Sequence, residues 1–254
     1  MASEAQAVQT SARDGACSRL VGAIVSPRAT FESIARKPGW LLPVLLLIVV
    51  NAAVGYSTFR TGYLRVSAEK QMEANPAFAG LTPEQRKQDV ALGMRFAHVS
   101  AIAMPIIVTP IALLIIAVVF LGAFRVSFGA GIKFAQSFAV TAYAAVPSIL
   151  KGLLNLAVIW ARPPSSANVM RNLSFSSLAG YLPAHASPTL TILAGHIDLF
   201  TFWMLGLLAV GYAAASAKKA RFGSALAVVL VVWAVFVLAH LGLAAIGSSF
   251  VPSA

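Results

Sequence analysis

The chain has 254 residues, of which 59% are hydrophobic and only 11% charged. Soluble globular domains carry roughly 25% charged residues, so an apolar excess gathered into runs excludes an ordinary soluble fold and points to an all-α, polytopic integral membrane protein, a bundle of five transmembrane helices. The net charge of +11 is dispersed and has no helix–turn–helix or aromatic-basic platform, which fits anionic lipid headgroups and argues against a nucleic-acid partner.

A single cysteine, Cys17, rules out an intramolecular disulfide framework and a Cys-based zinc knuckle. Residues 1–39 form a cytoplasmic N-terminal segment with five basic side chains, too long and too basic for the n-region of a cleaved signal peptide. Within it, Ser26-Pro27 has the form of an N-cap followed by proline at the first helical position. Phe31, Ile34 and Ala35 then share one face, with Arg28, Glu32, Arg36 and Lys37 elsewhere. That pattern suits either a helix lying in the headgroup region or one packed on the protein itself.

Residues 40–254 form the transmembrane domain, with spans predicted at about 40–59, 99–124, 134–160, 192–215 and 224–246. Trp40, Tyr56 and Phe59 sit where interfacial aromatics belong. The loop before the second span holds six basic and four acidic residues. Its Thr82-Pro83-Glu84-Gln85 resembles a capping box, which predicts a helix feeding into that span. Pro105 and Pro110 inside the second span predict a kink or local unwinding. The third span holds Pro147, Lys151 and Asn155. After it, residues 162–190 read as a Ser- and Pro-rich loop with a short surface helix around 173–182. The last two spans are joined by the basic turn Lys218-Lys219-Ala220-Arg221. No internal repeat is evident, so the inverted-repeat pattern of many transporters is missing.

Five spans place three basic groups on one side: the N-terminal segment, the turn with Arg125 and Lys133, and the turn with Lys218, Lys219 and Arg221. The two turns flank the spans directly, so they weigh most in the positive-inside rule and make lipid headgroup contacts. They predict a multi-pass membrane protein with its N-terminus in the cytoplasm.

Ionisable residues inside spans are the candidates for chemistry. Asp198 lies about 9 Å into the fourth span and Lys151 about 14 Å in from the same face, counting 1.5 Å per residue. An intramembrane polar contact among Asp198, Lys151 and Asn155 is therefore expected. The alternative has Lys151 snorkelling outwards and Asp198 bonded to nearby backbone. His98, His185, His196 and His240 share that side. Of these, His196 and His240 are candidates for a proton or metal site near Asp198. There is no H-E-x-x-H, G-x-S-x-G, P-loop or dinucleotide-binding glycine pattern, so no catalytic residue, metal or cofactor is expected. Gly211 with Ala215, and Ala209 with Ala213, are small-xxx-small pairs suited to close helix packing.

Two stretches together resemble the Yip1 domain family. One is Ser26-Pro27-Arg28-Ala29-Thr30-Phe31-Glu32-Ser33-Ile34 followed by Lys37-Pro38-Gly39-Trp40-Leu41-Leu42-Pro43. The other is Asp198 through Trp203 followed by Gly206, Gly211 and Lys218-Lys219-Ala220. The resemblance implies an integral membrane protein without known catalytic activity. Eukaryotic members are associated with Rab-type GTPases. This chain differs from them in its short N-terminal segment and in lacking an Asp-Leu-Tyr-Gly-Pro type motif, so it is similar to bacterial members. The expected function is a non-enzymatic membrane scaffold or adaptor, with a membrane-protein partner or a second copy. The alternative is a small transporter or channel component that uses Asp198 and Lys151 in a polar pathway.

Overall fold

A computed structural model describes residues 15–74, 78, 80–165, 173–183 and 186–249. The described residues form ten α-helices and no β-strand: α1 Ala16–Val25, α2 Pro27–Arg36, α3 Leu41–Arg60, α4 Tyr63–Ala74, α5 Pro83–Phe128, α6 Phe134–Ala144, α7 Val146–Ala161, α8 Pro188–His196, α9 Leu199–Ala215 and α10 Phe222–Ser249. Among the described residues, four stretches are long and apolar enough to cross a membrane: Leu41–Arg60, Pro83–Phe128, Phe134–Ala161 and Phe222–Ala244. With the shorter apolar α9, they make this an all-α polytopic membrane protein.

Local chemistry sets the helix limits. At the start of α5, the Thr82 amide donates to Gln85 Oε1 (2.8 Å) and the Gln85 amide donates to Thr82 Oγ1 (3.3 Å), a reciprocal capping box. The helix then runs for 46 residues, about 69 Å at 1.5 Å per residue, against a hydrocarbon thickness of about 30 Å. Its first turns carry Glu84, Arg86, Lys87, Asp89 and Arg95, so the polar end is the part that suits water. No unwinding occurs at Pro105 or Pro110; α5 remains helical through both. Each proline removes only one backbone donor, and the ladder on either side holds the helix together.

The segment 134–160 is two helices rather than one. Pro147 cannot donate to the Tyr143 carbonyl four residues back, α6 ends at Ala144, and the Ser148 amide closes a tight turn on the Ala145 carbonyl at 2.9 Å. The segment 192–215 is also divided: α8 ends at His196 and α9 begins at Leu199, with Ile197 and Asp198 outside both. Alone, α9 has 17 residues, about 26 Å. In place of a surface helix at 173–182 there is one 3₁₀ turn, Leu178–Tyr181.

The chain divides into two compact units. The first is drawn from Met1–Ile48, Thr109–Ile149 and Phe200–Ala234. Here Phe31 and Ile34 of α2 are fully buried, and α2 packs on α1 and α6, so its apolar face is covered by protein. Gln136 ties two helix ends, its Oε1 accepting from the Lys133 amide (2.9 Å) and its Nε2 donating to the Ala35 carbonyl (2.7 Å). A Cβ at Gly211 would come within 2.8 Å of the Phe31 ring and also press on Val140, so the small residue serves packing inside the unit.

The second unit is drawn from Val49–Val108, Leu150–Leu199 and Val235–Ala254. Tyr63 and Ile159 are buried together, with Val54, Val66 and Leu173 around them. The Tyr63 hydroxyl donates to the Arg162 carbonyl at 2.9 Å. Gly55 lies so close to α5 that a Cβ there would overlap the Ala101 carbonyl oxygen.

Candidate functional site: a buried ion pair at a helix break

The break between α8 and α9 is built by two short hydrogen-bonded segments. The Leu178 amide donates to the Ile197 carbonyl (3.1 Å) and the Leu199 amide to the Ser176 carbonyl (3.2 Å), forming an isolated antiparallel bridge between Ser177 and Asp198. Backbone groups that would be unmatched at a helix interruption are thereby satisfied, a requirement inside a membrane protein.

The bridge directs the Asp198 side chain inward, leaving it 1% exposed. Lys151 Nζ, from α7, meets Asp198 Oδ2 at 2.9 Å, and Ser176 Oγ donates to the same oxygen. The Lys151 side chain keeps 32% exposure. The structure thus joins a cation, an anion and a hydroxyl from α7, from the break and from the loop before α8. One carboxylate oxygen thus meets both a cation and a hydroxyl donor, and the groups that hold it also enclose it.

Asn155 lies one turn beyond Lys151 on α7, and its Oδ1 is buried without a hydrogen bond to any described residue. His196 Nε2 and His240 Nδ1 lie 3.0 Å apart, linking the end of α8 to α10, with the rings at 87° and the Phe236 ring against His196. Among the described residues no three metal-binding side chains cluster. His98 instead packs on the Phe59 ring with centroids 4.9 Å apart, and His185 lies outside the described residues.

The basic turn residues have structural contacts as well as charge. Arg125 Nη2 donates to the Ile132 carbonyl at 2.8 Å, folding its turn back on itself, and Lys133 is the N-cap of α6. Lys219 Nζ donates to the Gly129 carbonyl. Lys218, at φ 71°, forms the tight left-handed turn after α9, and Lys218 and Arg221 are exposed.

Two further polar contacts were not anticipated from sequence. Ser176 falls in a polar loop where nothing marks one serine above another. In the other unit, the Tyr212 hydroxyl bonds Ser137 Oγ and Thr141 Oγ1 (3.2 Å), while Ser137 Oγ donates to the Ala117 carbonyl (2.7 Å). The Tyr212 ring stacks on Phe124 at 4.7 Å. The available signal was the i,i+4 spacing of Ser137 and Thr141, which puts both hydroxyls on one face of α6.

No curated protein and no solved structure matches the chain. The model of the Yip1 domain matches residues 21–246, from α1 to the last turns of α10 and including the Lys151–Asp198 pair, and the chain is accordingly a member of the Yip1 domain family.

Proposed function

We propose that this protein is a non-enzymatic scaffold or adaptor of the bacterial inner membrane, with its N-terminus in the cytoplasm. The observation that supports this reading is the engagement of Asp198. Its carboxylate is buried and held by Lys151 and Ser176, as a structural fastening requires, rather than presented to a substrate. Orientation follows from the dense basic turns at Arg125–Lys133 and Lys218–Arg221. The partner is a membrane protein or a second copy. It would be met through faces such as Ile111, Ile115 and Val119 of α5, which are 47–59% exposed at helical spacing, while the basic turns meet anionic headgroups.

A second reading is favoured by one feature. Asp198 lies between two helices, and discontinuous helices with charged groups at the break form the binding sites of many transporters. Purified protein in proteoliposomes separates the two. The scaffold reading expects no solute or proton flux, together with a discrete cross-linked product from a photoreactive residue at Ile111 in native membranes. Flux that is abolished by Asp198→Asn would replace it with transport.

A further inference from the structure

Helix α1 has one charged side chain, Arg19, and that side chain is turned into the protein. At 5% exposure, its Nη1 donates to the Lys37 carbonyl (2.8 Å) and its Nη2 to Ser33 Oγ (2.9 Å), which clamps α1 to α2. Ala23, one turn on, is fully buried on the same side. The far side of α1 therefore carries no charge. Cys17, Val21 and Val25 recur there every four residues and are exposed, the two valines at 63% and 76%. Leu20 and Ile24 lie beside them, half-buried, and the five make an apolar arc about 140° wide at 3.6 residues per turn. The apolar face of α2 is covered by protein, whereas that of α1 stays open among the described residues.

The surroundings of α1 in the first unit point to what covers it. Ala16, in its first turn, lines a crevice with Trp40, Leu41 and Leu45, where the spanning helix α3 begins. Leu41 and Leu45 are themselves 59% and 48% exposed, and tryptophan favours the headgroup level of a bilayer. The first turn of α1 thus lies at the depth where α3 enters hydrocarbon. Cations gather at the same end of the unit. Arg36 and Lys37, at the end of α2, are exposed, while Glu32, the one acid of that helix, pairs with Arg28 at 3.6 Å. Gln136 Nε2 donates to the Ala35 carbonyl (2.7 Å), which brings the exposed Lys133 to this end of α2. We propose that α1 lies along the bilayer surface with Leu20, Val21, Ile24 and Val25 turned into the acyl chains, and that Arg36, Lys37 and Lys133 meet anionic headgroups beside it. Cys17, in the first turn, stays at the headgroup level. Lipid answers both halves of this surface, the apolar arc and the cations, whereas a second copy would cover the valines and bring like charges together.

The test places a nitroxide label on single cysteines in the full chain, reconstituted into liposomes of phosphatidylglycerol and phosphatidylcholine. The labels follow Val21→Cys and Val25→Cys in a Cys17→Ser background, with Leu45→Cys on α3 as the lipid reference. Both valines are exposed, so each unlabelled variant should unfold at the temperature of the Cys17→Ser protein. Oxygen, which concentrates in hydrocarbon, should relax the labels at 21 and 25 more than a water-soluble nickel chelate does. In liposomes of phosphatidylcholine alone that preference should shrink, because the cations lose their partners. Stronger relaxation by the nickel chelate would put this face of α1 in water and overturn the proposal. Weak relaxation by both reagents would put protein over the valines, a second copy or residues 1–14, and would overturn it equally. An oxygen preference that is the same in both liposomes would overturn the assignment of anionic lipid.

Discussion

A carboxylate with 1% of its side chain exposed, in a chain with so few acids, has to be matched where it lies, and Asp198 is matched twice, by Lys151 and by Ser176. Breaking a buried pair by removing one partner leaves the other charge uncompensated, at about 3–5 kcal/mol. Lys151→Ala leaves the buried Asp198 carboxylate without its cation and should approach that range. Asp198→Ala should cost less, because the Lys151 left behind keeps about a third of its side-chain surface and part of its charge is already solvated. In the double variant the losses should fall short of their sum by about 1–3 kcal/mol, read from unfolding in detergent. Strict additivity would show that the two charges do not depend on each other. Tyr212→Phe in the other unit is a milder change. Ser137 Oγ still reaches the Ala117 carbonyl without the phenol, so the loss should be about 1 kcal/mol, while Tyr212→Ala should cost about 3–5 kcal/mol by opening a cavity under Phe124.

Among the helices, the pairing of α3 with α5 depends on one missing side chain. The atom facing Gly55 is the Ala101 carbonyl oxygen, which belongs to the backbone and cannot rotate away. Gly55→Ala should therefore force the helices apart at a cost of about 1–3 kcal/mol, seen as a lower unfolding temperature. Gly211→Ala presses on Val140 and Phe31, both fully buried, and should cost a similar amount. The placement of these helices was largely readable from hydropathy, because burial in lipid imposes long apolar runs. The interruptions were not. The break at Ile197 and Asp198 lies between two apolar stretches, so hydropathy alone reads through it, and the bridge to Ser177 marks it. Pro105 and Pro110 suggested unwinding that α5 does not show, whereas Pro147 does coincide with a new helix start. The difference lies in tertiary support, which a single sequence does not display. Asp198 and Lys151 stood out because charge is rare in such runs. Ser176 did not, because serine is common in loops.

Across the whole molecule, the arrangement of cations bears on which way the protein is inserted, and the chain carries its own reporter. Cys17 is the only cysteine and is exposed at the start of α1, ahead of every apolar run. With the N-terminus in the cytoplasm, a membrane-impermeant maleimide should leave Cys17 unmodified in intact spheroplasts and label it in inverted vesicles. The reverse pattern would turn the molecule over. The same reporter tests the cause. Lys218, Lys219 and Arg221 lie together in one short turn, where positive charge resists translocation most strongly. Replacing all three with glutamine should produce a mixed population, in which part of Cys17 becomes reactive in intact spheroplasts. Lys219 also donates to the Gly129 carbonyl, so Lys219→Gln alone is the control: it removes that contact but leaves two cations in the turn. If the single change inverts the protein as fully as the triple, the contact between turns, and not the charge count, sets the orientation.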